Sequence, residues 1–254
     1  MQNPVLEVIH NHRSIRHYKP DTLPITIIET IVAAAQRAST SSNMQAWSVV
    51  AVSEPVKRQQ LAKICGNQSH ISEAPLFLTW CADLFRLNQV CRLRGYKQVT
   101  NYVENFLVAS MDAVVAAQTA ALAAESLGLG ICYIGSIRND PQAVIDLLDL
   151  PKLTFPITGM TIGYPDGDEQ IKPRLGMEAV LHRETYHQNQ VNALLEYDRI
   201  MAASGIYDKR QVPVPGKQDE MEDYGWLEHT ARRASKSLRT GLRAMIEKQG
   251  FALE

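Results

Sequence analysis

The segment HNHRSIRHYKP, residues 10–20, concentrates cationic and hydrogen-bonding side chains near the start of the chain. Arg13 and Arg16 are three residues apart, so one helical turn would place both guanidinium groups on the same side. Ser14 adds a hydroxyl between them. A phosphate monoester carries about −1.5 to −2 charges and three strong acceptor oxygens, which these donors match. The alternative is a solvated helix end whose positive charge complements the helix dipole.

Two further polar segments could bind other parts of such a ligand. In IKPRL, residues 171–175, Lys172 and Arg174 flank a proline that favours an extended backbone, in which positions i and i+2 share one side. The segment STSSNMQ, residues 39–45, offers hydroxyl and amide groups for a polyhydroxy chain or the edge of a heterocycle. Each segment is equally compatible with an ordinary surface turn or connection. The residues alone therefore indicate a small anion without identifying it.

Several other chemistries have characteristic spacings that this chain lacks. The run GLGICYIGS, residues 128–136, does not match the GxGxxG turn of dinucleotide-binding domains, although Gly135 could let backbone amides approach a flat ligand. His10, His12 and His17 lie close together, but no HExxH or paired Cys/His spacing accompanies them. A GxSxG nucleophile elbow is also absent from the sequence. We therefore expect no metal and no hydrolytic triad.

The composition is that of an ordinary globular protein. The chain has 254 residues, 45% hydrophobic and 21% charged, and its net charge is −1. The near-neutral charge argues against a nucleic-acid partner. The apolar stretch 106–124 carries Asp112, and a charge at mid-bilayer costs about 2.5–3.5 kcal/mol, so a buried helix is expected rather than a membrane span. Without a signal-peptide pattern or a CxxC pair, the chain is expected to be cytoplasmic.

Hydrophobic patterning predicts strands interleaved with helices. The expected strands are 47–54, 73–83, 130–138 and 155–165. A long alanine-rich helix is expected over 101–127, and residues 84–100 are left unassigned. This order of elements is typical of a layered α+β or α/β domain.

The last third of the chain has a different sequence pattern, without a predicted strand. Residues 185–254 are expected to form a helical extension, with a proline-containing loop at 205–220 and a final helix at about 222–248. No linker separates residues 1–180 into parts, so a single domain over 1–254 is expected.

Four motifs in this order resemble the nitroreductase superfamily of FMN enzymes. They are HRSIRHY, SSNMQAW, ESLGLGICYIGSIRN and KPRL. The resemblance implies an α+β fold with a central, mostly antiparallel sheet flanked by helices, and an interlocked homodimer with FMN sites in its interface.

The resemblance also implies a role for each candidate residue, with FMN as the cofactor. Five residues would gather at the FMN phosphate and ribityl chain: His12, Arg13, Ser14, Lys172 and Arg174. Arg16 would lie near flavin N1 and O2, and Gln68 would meet the pyrimidine edge. The loop residues Thr40, Ser41 and Asn43 would reach the flavin of the other subunit. Backbone groups near N5 and O4 would come from Tyr133, Ile134, Gly135 and Ser136. Position 136 is serine where similar proteins commonly have glycine.

The function implied is an FMN-dependent NAD(P)H oxidoreductase, a nitroreductase or flavin reductase with a ping-pong two-electron mechanism. A small aromatic acceptor such as a nitroaromatic, a quinone or a free flavin would be the second substrate. No catalytic side chain is expected, because the cofactor carries the chemistry. Arg210, in the 205–220 loop, is the candidate for the 2′-phosphate of NADPH. The alternative is a non-catalytic flavin-binding or phospholigand-sensing protein.

Overall fold

The computed structural model describes residues 3–208, 210–214 and 216–254. The chain divides into two compact units. The first unit takes in Met1–Gln170 and Arg239–Glu254, and the second takes in Ile171–Leu238. The single-domain expectation for 1–254, with its extension from residue 185, stays a prediction.

The first unit holds a sheet with helices around it. Its helices are α1 Pro4–His10, α2 Ile25–Ala35, α3 Pro55–Ile64, α4 Ser69–Glu73, α5 Phe85–Leu93, α6 Val103–Ser126 and α7 Pro141–Leu147. The second unit contributes α8 Val191–Ala203 and α9 Trp226–Ala234, and α10 Leu242–Lys248 returns to the first unit. The strands of the first unit are β1 Trp47–Val52, β2 Leu76–Asp83, β3 Gly130–Ile134 and β4 Thr154–Gly163.

The four strands form one sheet in the order β1-β2-β4-β3. All three pairings in this sheet are antiparallel. The central strands β2 and β4 are buried along almost their whole length, which explains their nearly continuous apolar sequences. The prediction of an α+β fold with a mostly antiparallel sheet flanked by helices is confirmed.

Helix α6 crosses the core of this unit. It is long and apolar enough to span a membrane by length and composition. Its alanine face, however, packs against the sheet and α2, with Ala113, Ala116 and Ala120 fully buried. Small side chains allow the helix to lie close to the strands. The helix is therefore part of a protein core, as Asp112 in its sequence predicted.

Strand β3 forms one edge of the sheet, and the basic segment lies along it. The N–H of Ile15 donates to the Ile131 carbonyl at 2.8 Å, and Ser14 forms a parallel bridge with Ile131. A Cβ added at Gly130 would come within 2.5–2.9 Å of the Ile15 side chain. Glycine at 130 thus lets residues 14–15 pack directly on the strand.

The prediction of a loop over 205–220 is wrong. Two antiparallel strands, β5 Gln211–Val214 and β6 Lys217–Asp223, form a hairpin there. Gly216 supplies the positive φ of +80° that the turn needs. The hairpin escaped notice because β6 is polar and the short β5 contains a proline, which an edge strand tolerates.

The single final helix predicted over 222–248 is also wrong. Helix α9 ends at Ala234, and α10 begins only at Leu242. Between them Arg239 adopts a left-handed conformation with φ 57°, which interrupts a right-handed helix. The 130–138 strand likewise ends at Ile134, where residues Gly135–Asn139 turn into a 3₁₀ helix.

Candidate functional site

His12 follows α1 and is fixed by an acidic residue of α6. Its Nδ1 lies 2.6 Å from Glu125 Oε1, near the C-terminal end of that helix. Because this contact occupies Nδ1, the other ring nitrogen is left to face a ligand. The carboxylate therefore sets the orientation of the imidazole.

Arg13 carries a donor with no acceptor. Its Nη1 donates to the Asn11 carbonyl at 3.1 Å, and its Nη2 lies 3.9 Å from Asp168 Oδ1. Its Nε is buried and has no hydrogen-bond partner within the described residues. Leaving a buried donor unsatisfied costs roughly 1–3 kcal/mol. Arg13 also lines a cleft of about 390 Å³ together with Glu125, so an acceptor reaching this guanidinium would be stabilised.

Arg16 is held by its backbone while its side chain stays exposed. The Arg16 N–H donates to Glu169 Oε1 at 3.0 Å, and His17 Nδ1 lies 3.3 Å from the same oxygen. Burial tends to raise the pKa of Glu169, but the Arg16 N–H and His17 outweigh it and lower that pKa. The guanidinium of Arg16 forms no hydrogen bond or ion pair in the described part of the chain. A fixed main chain with a free cation suits an anionic ligand.

Gln68 and Ser136 lie in direct contact. Gln68 Nε2 donates to the Ser136 Oγ at 2.6 Å and to the Cys65 carbonyl at 2.7 Å. Both amide hydrogens are thereby used, which leaves Oε1 as the available acceptor. Burial raises the pKa of the Cys65 thiol to about 11, so this thiol stays protonated at neutral pH and is not a redox nucleophile.

The residues at the end of β3 offer mainly backbone groups. The Ile134 side chain is buried in the core, and the Tyr133 hydroxyl donates to Gln118 Oε1 at 3.3 Å. Burial raises the pKa of that phenol. At Gly135 an added Cβ would meet only Arg138 Nη2, at 3.6 Å. Packing within the chain therefore does not require glycine at 135.

The loop Thr40–Ala46, called here the 40–46 loop, is bonded to Asp112 of α6. Thr40 Oγ1 donates to Asp112 Oδ2 at 2.5 Å, the Ser41 N–H donates to Oδ1 at 3.0 Å, and the Ala46 N–H donates to Oδ2 at 3.0 Å. The side chains of Ser41 and Asn43 stay exposed. The loop thus has a fixed base and an open outer surface.

Two groups of candidate residues are well separated in the first unit. Asp112, which bonds the 40–46 loop, and Glu125, which bonds His12, are 13 residues apart on α6. At 1.5 Å per residue this is about 20 Å along the helix axis. The loop also leads into β1, at the opposite edge of the sheet from β3. The structure therefore does not bring the two groups together within one copy.

The remaining candidates belong to the second unit. Arg174 Nη1 donates to the carbonyls of Lys172 and Pro173, at 2.9 and 3.2 Å, and both cations are exposed. Arg210 lies over the Tyr224 ring, with its Cζ 5.9 Å from the ring centroid. It lines a pocket of about 120 Å³ with Asp208 and Asp223, so nearby carboxylates offset its charge.

Sequence reasoning missed the acidic residues that position the candidates. Asp112, Glu125 and Glu169 each bond a segment that carries predicted ligands. The sequence signal that could have indicated such a role is a carboxylate inside an apolar run. For Asp112, that signal was used only to predict a buried helix. Their partners lie 66 to 153 residues away, beyond the reach of local patterns.

Comparisons with known proteins agree with this architecture. The model of the Nitroreductase family matches residues 9–164, and that of the Nitroreductase family, C-terminal domain, matches residues 172–254. The chain is 37% identical to the FMN reductase (NADPH) of Bacillus subtilis, over 98% of each chain. It is 34% identical to the oxygen-insensitive NADPH nitroreductase of Salmonella typhimurium, over 98% of this chain and 99% of that one.

A solved structure gives the same result in three dimensions. The NADPH:FMN oxidoreductase from Vibrio harveyi complexed with NAD+ superposes with a TM-score of 0.87 and 30% sequence identity. The match covers 99% of this chain and all of the other.

Proposed function

Because the chain belongs to the nitroreductase family, we propose that it is an FMN-dependent NAD(P)H oxidoreductase that reduces nitroaromatics, quinones or free flavins. The observation that carries the proposal is the side chain of Arg13, whose buried Nε has no hydrogen-bond partner within the described residues. This side chain lines a cleft together with Glu125, the carboxylate partner of His12. This is the place where a dianionic phosphate would satisfy the chain's own donors. The names of its relatives support the same activity.

The phosphate end of FMN fits the residues at the edge of β3. His12 would present its free ring nitrogen, Arg13 the positive charge and remaining donors of its guanidinium, and Ser14 its hydroxyl. Charge-assisted hydrogen bonds of this kind are roughly twice as strong as neutral ones. Lys172 and Arg174 are proposed as further phosphate ligands from the second unit.

The ring end of FMN fits the residues after β3. Gln68 would accept the ring N3–H through Oε1, since both of its amide hydrogens are already used. Gly135 and the neighbouring backbone of Tyr133, Ile134 and Ser136 would face N5 and O4. When bound, FMN supplies the hydride-accepting centre. Arg16, with its free guanidinium, would stabilise negative charge at N1 and O2.

We further infer that the site is completed by a second copy of the chain. Thr40, Ser41 and Asn43 would contact the FMN of the partner, because the 40–46 loop lies about 20 Å from the His12 group along α6. An exposed apolar stripe on α6 supports a covered surface: Leu107 is 47%, Met111 56% and Val114 45% exposed. Both units together would form one functional domain, and we expect a cytoplasmic homodimer.

The donor NAD(P)H and the acceptor would use one pocket in turn. The sequence holds no second redox motif and no dinucleotide-binding fingerprint, so the two substrates have to alternate at the flavin. Arg210 is proposed to contact the 2′-phosphate of NADPH.

The first test is whether the purified protein releases FMN on denaturation, with one FMN per subunit expected. Initial rates against NADPH at several fixed nitroaromatic or quinone concentrations should then give parallel lines. Intersecting lines would show a ternary complex and contradict the shared pocket. If the protein binds FMN tightly but does not oxidise NADPH, it is a non-catalytic flavin-binding protein and the proposed enzymatic activity is wrong.

A further inference from the structure

Asp112 is a charged residue in an otherwise apolar environment. It is 4% exposed and lies on the alanine face of α6, between Ala109 and Ala116, which are fully buried. An ionised carboxylate taken out of water costs several kcal/mol unless hydrogen bonds compensate it. Alanine or leucine would serve helix packing at this position without that cost. Helix packing alone therefore does not explain why a carboxylate occupies this position.

Within the described residues, the hydrogen bonds of the Asp112 carboxylate all run to the 40–46 loop. Thr40 Oγ1, the Ser41 N–H and the Ala46 N–H converge on its two oxygens. Thr40 Oγ1 also accepts the Gln45 N–H at 2.8 Å, so the hydroxyl links the carboxylate to the far side of the loop. Three donors and two acceptors make a network that only a carboxylate satisfies completely.

The loop held in this way is conformationally unfavourable by itself. Ser42, Asn43 and Gln45 adopt left-handed φ values of 49°, 54° and 52°. For residues other than glycine such conformations cost of order 1–3 kcal/mol each and persist only where surrounding contacts enforce them.

The other long-range contacts of the described loop lie at its end next to β1. Arg86 Nη1 donates to the Gln45 carbonyl at 3.1 Å, and the Asp83 N–H donates to the Ala46 carbonyl at 3.0 Å. Local bonds close the turn itself, from the Met44 N–H to the Ser41 carbonyl at 2.9 Å and from the Asn43 N–H to the Thr40 carbonyl at 3.4 Å. For Thr40 and Ser41, Asp112 is the long-range partner within the described residues. The part of the loop that carries the proposed flavin contacts is thus anchored to the core by this side chain.

We propose that Asp112 is a positioning residue that holds Thr40, Ser41 and Asn43 in the conformation that binds FMN. It touches no ligand itself and acts through the loop. The inference rests on the proposed function, which assigns these loop residues to FMN. The claim that one buried carboxylate fixes a strained loop before binding does not depend on which ligand binds. Preorganisation of this kind raises affinity by lowering the ordering cost of binding.

The test is the substitution Asp112→Asn, which keeps the size of the side chain. An amide has one acceptor oxygen, so at least one of the three loop donors would face an N–H. We expect FMN affinity to fall at least tenfold, equivalent to about 1.4 kcal/mol. Saturating FMN should restore kcat to within about twofold, because the ligand can order the loop at an energetic cost. A variant that had simply lost its fold would not regain kcat.

Glu29→Gln provides the matched control. It neutralises an exposed carboxylate of α2, a different helix from the one that carries Asp112 and the apolar stripe, and it should leave FMN affinity unchanged. Hydrogen–deuterium exchange of the apoproteins supplies a readout that does not depend on FMN. Exchange over residues 40–46 should be faster in Asp112→Asn than in wild type or Glu29→Gln.

The two readouts separate the inference from the proposed function. If wild type binds no FMN, the proposed function fails, while the exchange data still decide whether Asp112 holds the loop. If wild type binds FMN and Asp112→Asn binds it equally well, the positioning role is overturned and the proposed function stands. Unchanged exchange over 40–46 in Asp112→Asn would also overturn the positioning role.

Discussion

Two candidate segments of the first unit are held by long-range bonds, whereas the Arg174 candidate of the second unit is held locally. Thr40 bonds Asp112, and His12 bonds Glu125, over separations of 72 and 113 residues. Arg174, in contrast, bonds carbonyls one and two residues away. The first arrangement exists only in the folded core, while the second can form in almost any turn.

This difference matches the two kinds of ligand that the enzyme has to handle. A resident cofactor gains from donors whose positions are fixed before it binds. A nicotinamide donor has to arrive and depart in every turnover, so an exposed and adaptable contact is sufficient. We therefore expect the first unit to make the tighter contacts with FMN. Lys172 and Arg174 would add weaker contacts to its phosphate, and Arg210 an exchangeable contact to the donor.

The largest expected effect is that of Arg13→Ala on FMN affinity. A hydrogen bond to a charged group contributes about 1.5–3 kcal/mol, and 1.4 kcal/mol is a factor of ten. We expect the Kd for FMN, measured by fluorescence quenching, to rise at least tenfold. Arg174→Ala should raise it less, about threefold, because the guanidinium is exposed and already shared with local carbonyls.

Arg243→Ala is the control for both variants, since it removes an exposed arginine whose partner is Glu247 on the same helix. It should leave the FMN affinity unchanged. Equal losses of FMN affinity in Arg13→Ala and Arg174→Ala would contradict the expectation that the first unit binds FMN more tightly than the second. An unchanged Kd in both would remove the phosphate assignment altogether.

The next effect concerns Arg210 and the choice of donor. Arg210→Ala should raise KM for NADPH about threefold and leave KM for NADH unchanged, because only NADPH carries the 2′-phosphate. The effect is modest, since Asp208 and Asp223 line the same pocket and offset the positive charge. The oxidative half-reaction, followed by stopped flow, should be unaffected. Equal changes for both donors would exclude a phosphate contact.

The contrast between local and long-range contacts also explains which parts of the fold and of the candidate site could be predicted from the sequence. The apolar runs of β2 and β4 and the alanine face of α6 have periodicities that mark them as core, and the four motifs identify the family. The hairpin β5-β6 was missed because β5 has only four residues, one of them a proline, and the polar β6 lacks apolar alternation. The bonds from Asp112 and Glu125 were missed because a side-chain contact across 66 or more residues has no local sequence pattern.

The smallest expected effect lies at Ser136, which contacts Gln68. Its hydroxyl accepts one amide hydrogen of Gln68, and the Cys65 carbonyl accepts the other. We infer that this pair of bonds fixes which end of the Gln68 amide faces the flavin. Ser136→Ala removes one bond and leaves the Cys65 carbonyl in place. FMN affinity should therefore fall only about twofold, equivalent to about 0.4 kcal/mol. This is slightly less than the 0.5–1.5 kcal/mol, roughly, that a neutral hydrogen bond contributes, because the Cys65 carbonyl still holds the amide.

A double-mutant cycle decides whether Ser136 acts through Gln68. If it does, Ser136→Ala should change the Kd for FMN in the wild-type background and have no effect in a Gln68→Ala background, since the amide it orients is gone. Ser136→Thr, which keeps the hydroxyl, should retain wild-type affinity. Equal effects of Ser136→Ala in both backgrounds would mean that the hydroxyl meets the ligand directly. The Gln68 amide would then owe its orientation to the Cys65 carbonyl alone, and position 136 would join the backbone groups after β3 as a direct contact.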